Sequence, residues 1–332
     1  MISKRIVKVI ASLAIGASVM TTVGAAQAQS PDRKDWPRSL TIGTASQGGV
    51  YFVYGNGLAS FIGERLGINA SGEVTGGPVQ NGTLVQTKQQ TIGLVTMGPM
   101  YEAWTGKSAL APGVPHSDVR ALFPMYETPF HAIAMSSKGI KSMRDLEGKR
   151  VSVGPAGGTA DTYWPRFLKA LGVNAKISHS GAADAASQLK DGLIDAFLFA
   201  AGLPIGAFSQ LAAEADVTTF TFTPEDHAKI AAEFLEVAAF TIPKGTYTIQ
   251  KDDHATFALW NFAVTHRDLP ESLAYEITKL VLENNDRMRQ IHAAAKGTVI
   301  ENWENNSFLP FHPGAVRYYA EKGITIPDNL KK

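Results

Sequence analysis

Residues 40–58 read LTIGTASQGGVYFVYGNGL, and the order of residue types along them frames the whole chain. Residues 40–43 make a short apolar strand candidate, and Thr44-Ala45-Ser46-Gln47-Gly48-Gly49 is a small, polar loop. Helical spacing follows, with Tyr51, Tyr54 and Leu58 near one face. A strand that runs through a glycine-rich turn into a helix leaves several backbone N–H groups without intrahelical partners. Those donors and the positive end of the helix dipole suit an anion such as a carboxylate. Gly48 and Gly49 let the backbone approach a ligand with no Cβ in the way. An ordinary βα turn with no ligand reads the same. The spacing is not G-x-G-x-x-G, so the dinucleotide fingerprint does not apply.

The arrangement recurs at Gly154-Pro155-Ala156-Gly157-Gly158-Thr159. This loop follows a strand candidate at 150–153 and opens a helix holding Tyr163 and Trp164, with Thr159 as its expected N-cap. Two opposed helix N-termini, one per domain, would clamp an acid without any buried Arg or Lys. A capped helix without a ligand is the plainer alternative. Thr75 to Asn81 likewise precedes a helix, and Asn81 offers both a donor and an acceptor. An Asn beside glycines is more commonly a turn residue.

Short apolar strand candidates alternate with helical ones, which predicts an α/β architecture with mainly parallel sheets. The expected strands are 40–43, 92–96, 121–125, 131–135, 150–153 and 196–199. Helices are expected over 51–66, 160–171, 182–190, 224–232, 254–265 and 271–284, with another short one opening within 81–89. The block from about 130 to 237 has its own βα series, which predicts a second domain inserted into the first. The first domain then comprises 36–129 and 238–332, and the second 130–237. Two crossings of this kind are the connectivity of type II periplasmic binding proteins, and the cleft between domains is the default site.

Lys4, Arg5 and Lys8, an apolar run over 9–24 and the small-x-small triplet Ala26-Gln27-Ala28 make residues 1–28 a secretory signal peptide. The apolar core is too short and too rich in Ala, Gly and Ser for a comfortable membrane span. The chain has no cysteine, which excludes disulfides, a lipoprotein anchor, thiolate metal sites and a Cys nucleophile. Without the three basic residues of the leader, 28 Lys+Arg face 30 Asp+Glu. No basic run approaches the footprint of a phosphate backbone, so nucleic acid is not an expected partner.

The 40–58 segment resembles the start of the mature chain in the TAXI family, the periplasmic solute-binding proteins of TRAP (tripartite ATP-independent periplasmic) transporters. Thr75-Gly76-Gly77-Pro78-Val79-Gln80-Asn81 is similar to the family's second glycine-rich loop. Tyr126-Glu127-Thr128-Pro129-Phe130-His131 is similar to its Tyr-x-Glu-x-x-His region. GIKSMRDLEGKRV at 139–151 leads into the third loop. Asp191-Gly192-Leu193-Ile194-Asp195-Ala196, Ala200-Ala201-Gly202-Leu203-Pro204, Tyr275-Glu276-Ile277-Thr278 and Phe311-His312-Pro313-Gly314-Ala315 follow in the family's order. The resemblance implies a type II periplasmic-binding-protein fold and a periplasmic, monomeric receptor for a small organic acid. It implies transient docking on TRAP membrane subunits driven by an ion gradient, commonly sodium. It implies no cofactor, no metal, no ATP hydrolysis and no catalytic residue.

These readings make Thr44, Ser46, Gly48, Gly49, Tyr51, Gly77, Asn81, Met97, Tyr101, Glu127, His131, Gly157, Gly158, Thr159, Gly202 and Leu203 the candidate ligand contacts. Glu127 and His131 could also pair for acid–base chemistry, but a hinge or ligand contact suits them better. For Tyr51, Tyr101, Trp104, Tyr163 and Trp164, core packing competes with lining the cleft. The loops depart from the family pattern. Pro78 stands in place of a Ser, Met97 and Gly98 in place of a polar triplet's members, and no Ser remains between Gly157 and Gly158. Leu203 stands where a polar residue is common. A site stripped of polar partners should disfavour glutamate and 2-oxoglutarate and prefer a monocarboxylate with an apolar or aromatic body. Met97, Tyr101 and Leu203 would face that body.

Two other function classes fit the same fold. An exported hydrolase-like enzyme would need a G-x-S-x-G elbow or an H-E-x-x-H helix, and neither occurs. A sensory module presenting solute to a membrane kinase is separated from a transporter receptor by its genomic neighbours.

Overall fold

The computed structural model describes residues 33–331, so the expected leader at 1–28 lies outside the described residues. In chain order the elements are β1 (Ser39–Gly43), α1 (Val50–Leu66), β2 (Asn69–Glu73), α2 (Pro78–Gln86), β3 (Ile92–Thr96) and α3 (Met97–Trp104). Next come β4 (Val119–Met135), β5 (Arg150–Ser152), α4 (Thr159–Leu171), β6 (Lys176–Ser178), α5 (Ala182–Lys190) and β7 (Ala196–Ala200). Then follow α6 (Gly206–Glu214), β8 (Val217–Phe220), α7 (Pro224–Glu233), β9 (Ala238–Ile242), β10 (His254–His266) and α8 (Glu271–Leu282).

The strands run in the order β2-β1-β3-β10-β4-β7-β5-β6, with β8 on β4 and β9 on β10. β1, β2 and β3 pair in parallel, as do β5, β6 and β7, so each set needs helical crossovers between its strands. The long strand β4 joins the two sets. Its residues up to Pro129 pair with β10, and from Phe130 onward it pairs with β7 and β8. The sequence reading has two strands here, 121–125 and 131–135, whereas the chain runs extended through both as β4. Pro124 is accommodated beside a register shift in the β4–β10 ladder, and Pro129 sits where β4 changes partners. Proline lacks the ladder donor, so bulges and partner changes are where a strand tolerates it.

Residues 254–265, expected as a helix, are the strand β10. Its run of apolar residues is buried between β3 and β4, so alternation disappears and periodicity cannot separate it from a buried helix. The Thr, Phe, Trp and Val content is what favours the extended form. α1 buries Tyr51, Tyr54, Leu58 and Ile62 along one stripe against this sheet. In the β5–β7 half the core is aromatic. Phe167 of α4 meets Phe130 and Phe234 edge-on, both at 4.9 Å between centroids.

Candidate functional site

The loops before α1 and α4 converge. Gly49, Val50 and Tyr51 at the start of α1 and Gly158, Thr159 and Ala160 at the start of α4 line one cavity of about 30 Å³. Gly76, Gly77 and Pro78 at the start of α2 close another side, and Thr96, Thr128, Pro155, Phe199, Ala200 and Ala201 complete much of the wall. Among the described residues no charged side chain lines it. The first N–H groups of a helix have no intrahelical acceptor, and here two such sets open onto one space. Gly158, rather than Thr159, is the N-cap of α4. Thr159 is the first helical residue, and its hydroxyl lies 2.7 Å from Thr96 Oγ1.

A buried hydroxyl network forms the floor. Asn261 Oδ1 accepts from Tyr51 Oη at 2.7 Å and from Thr96 Oγ1 at 2.8 Å. With the Thr96 proton engaged there, Thr159 must be the donor in the Thr96–Thr159 bond. Asn261 Nδ2 donates to the Tyr126 carbonyl at 2.7 Å and to Thr128 Oγ1 at 2.6 Å. The accepted bond leaves the Thr128 proton for an acceptor in the cavity. Burial pushes the Tyr51 phenol well above its ordinary range, so it stays a donor. Asn261 falls at the register shift opposite Tyr126, where its side chain takes the place of a ladder contact. Its place in a segment misread as helix is why the sequence reading missed it. A lone Asn inside an apolar strand is the signal that finds it, because buried polar groups need partners.

Of the expected contacts, Gly49, Tyr51, Gly77, Gly158 and Thr159 are on the wall. The others are engaged elsewhere. Thr44 donates to the Glu73 carbonyl. Ser46 Oγ accepts from Ala182 N, the Gln47 carbonyl from Ala183 N and the Gly48 carbonyl from Ala207 N, each at 3.1 Å. The loop thereby satisfies N–H groups at the starts of α5 and α6. Asn81 is fully buried, with Nδ2 donating to the Gly43, Thr44 and Leu94 carbonyls and Oδ1 accepting from Thr75. Gly157 accepts from Val79 N at 3.2 Å, a bond between the second and third loops. Gly202 packs on Tyr126 and Ala294.

Glu127 is half-buried, and burial raises its carboxyl pKa. His131 is buried, with Nδ1 3.2 Å from Tyr247 Oη. Burial holds its imidazole down to about 3, so the ring is neutral at ordinary pH. Neither residue lines the cavity. Met97 and Tyr101 line a second, larger cavity, and Leu203 lines neither. Met97, Tyr101 and Leu203 thus lie off the wall of the smaller cavity, whose apolar surface includes Val50, Pro78, Ala160 and Phe199.

Among the described residues no group of three or more His, Asp or Glu is placed to hold a metal ion, and no helix is long and apolar enough to cross a membrane. A family model described as the NMT1-like family matches residues 42–323. Among solved structures, the chain is similar to the periplasmic binding protein BugD, with 15% identity, a TM-score of 0.56, and coverage of 86% of this chain and 94% of that one. It is also similar to an ancestral arginine-binding protein bound to arginine, with 16% identity, a TM-score of 0.50, and coverage of 79% and 99%. A protein from Bordetella bronchiseptica RB50 matches at 14% identity and a TM-score of 0.50, with coverage of 88% and 91%. The architecture is that of type II periplasmic binding proteins, with two α/β domains.

Proposed function

We propose that this chain, which belongs to the NMT1-like family, is a periplasmic solute receptor of the TAXI type that delivers a small carboxylate to TRAP membrane subunits. The observation that carries the reading is the convergence of the α1 and α4 N-termini on one cavity without charged side chains. Each helix start favours an anion by about 0.3–1 kcal/mol, and up to about 2 kcal/mol where partly buried. The N–H groups at both starts and the Thr128 hydroxyl supply donors for carboxylate oxygens, while Val50, Pro78 and Phe199 leave an apolar remainder.

In this reading residues 130–237 form the inserted domain, and ligand binding shifts an open–closed equilibrium toward closure. The bonds from α5 and α6 to the 44–49 loop, and from Val79 to Gly157, then hold the closed form. Signal cleavage near Ala28 would release the mature chain into the periplasm. A cavity of about 30 Å³ favours a short monocarboxylate over one with an aromatic body.

Calorimetry with propionate, 3-phenylpropionate and 2-oxoglutarate tests the assignment, with small-angle scattering to follow contraction. Propionate should bind saturably and contract the particle. At 100 times its Kd it should stabilise the fold by about 2.7 kcal/mol. Tight binding of 2-oxoglutarate overturns the size and polarity argument. Silence toward every carboxylate, with turnover of an ester or amide, overturns the receptor assignment.

A further inference from the structure

A second cavity, of about 620 Å³, lies between α3, α4, β10 and the segment ending at Phe308. Its size falls within the range of about 300–1,000 Å³ typical of organic-ligand sites. The walls are unusually aromatic. Tyr101 and Phe308 meet edge to face at 5.1 Å between centroids, and Trp260 and Tyr163 line the same space. Two large apolar side chains stand in solvent at its edge, Tyr101 at 49% and Leu235 at 87% exposure. Apolar surface of this kind is costly to leave uncovered.

The charged groups on the wall are not equivalent. Glu102 is bound by Arg166 at 2.6 Å. Glu236 makes no ion pair within salt-bridge distance among the described residues; Tyr163 hydrogen-bonds to it, and the Arg166 charge acts on it from farther off. Lys107 is the opposing charge on this wall. Aromatic faces carry negative potential and attract cations. Arg166 already lies over the Tyr163 ring at 5.7 Å, which leaves the Tyr101, Phe308 and Trp260 rings and the Glu236 carboxylate to face one lysine on a flexible stem.

We propose that this cavity is a second binding site, for an aromatic organic ammonium whose ring packs against Tyr101, Phe308 and Trp260 and whose charge meets Glu236. α3 follows directly from Thr96, and α4 begins with Thr159, both on the wall of the smaller cavity. An occupant here therefore touches the helices that frame the proposed carboxylate site, without occupying it.

Calorimetry with 2-phenylethylammonium, 2-phenylethanol and 3-phenylpropionate, on the wild-type chain and on Glu236→Gln, Tyr101→Ala and Lys107→Gln, tests this. All three side chains are exposed, so the fold should survive each change. The ammonium should bind tighter than the alcohol. Glu236→Gln should weaken the ammonium about tenfold and leave the alcohol unchanged. Tyr101→Ala should weaken both several-fold. Ammonium binding that is absent, or indifferent to both Glu236→Gln and Tyr101→Ala, overturns the proposal. So does tighter binding of the phenylpropionate that Lys107→Gln abolishes.

Discussion

Gly49 N donates to the Ser46 carbonyl at 3.3 Å and Gly158 N to the Pro155 carbonyl at 3.0 Å, and in each turn the preceding glycine stands at φ +82°. The caps match as well, with Gly49 at φ −90°, ψ 163° and Gly158 at φ −81°, ψ 163°. A turn whose third residue has positive φ calls for glycine, and the two βα units reach one backbone solution from different side chains. Their surroundings differ. The first loop receives three bonds from α5 and α6, whereas the second receives one from Val79 N and one from Ser180 N, just ahead of α5. A Cβ on Gly48 would stand 3.0 Å from Ala183 N and 3.3 Å from Ala207 Cβ. On Gly157 it would meet nothing closer than 3.8 Å. The shared turn builds the same kind of helix start twice, and of the bonds proposed to hold the closed form three fall on the first loop and one, from Val79, on the second.

Asn261→Ala should have the largest effect, because it undercuts both loops at once. It removes partners from Tyr51, Thr96, Thr128 and the Tyr126 carbonyl, all buried. At roughly 1 kcal/mol for each net bond, urea denaturation should show a loss of about 3–4 kcal/mol. A loss below about 1 kcal/mol would mean that the two loops do not depend on a common floor. Gly48→Ala comes next. Left-handed strain of about 1–2 kcal/mol adds to crowding against α5 and α6, for a total of about 2–4 kcal/mol by the same assay. A milder result would count against the bonds from α5 and α6 holding the closed form.

Both turns are legible in the sequence because a strand, a glycine pair and an apolar helix stripe are local signals. What crosses a turn is not local. Nothing in Ser46-Gln47-Gly48 announces that α5 and α6 will dock on it. The same limit explains Asn81, whose amide serves three backbone carbonyls instead of the cavity. A sequence cannot separate a polar group that satisfies the backbone from one that awaits a ligand. β10 hid for a different reason: burial on both faces erases the period of two, and with it Asn261 lost its place on the floor. Tyr101 and Met97 sit close in sequence to Thr96 of the cavity wall, yet α3 carries them toward the larger cavity.

Gly157→Ala should have the smallest effect and sharpens the contrast most. The position shares the φ of Gly48, so the strain of about 1–2 kcal/mol is common to both variants. The nearest atoms to the added methyl, Val79 Cβ at 3.8 Å and Leu110 Cδ1 at 3.9 Å, are at ordinary contact distance. Crowding therefore adds little, and the Val79 bond to the Gly157 carbonyl can persist. Urea denaturation should place Gly157→Ala above Gly48→Ala in stability by about 1–2 kcal/mol, the crowding that only the first loop suffers. Small-angle scattering with propionate gives the second readout. Gly157→Ala should still contract, while Gly48→Ala, with its docking on α5 and α6 disturbed, should contract less or need more ligand. Equal losses in both measurements would mean that the turns are interchangeable and that the bonds to α5 and α6 contribute nothing to closure.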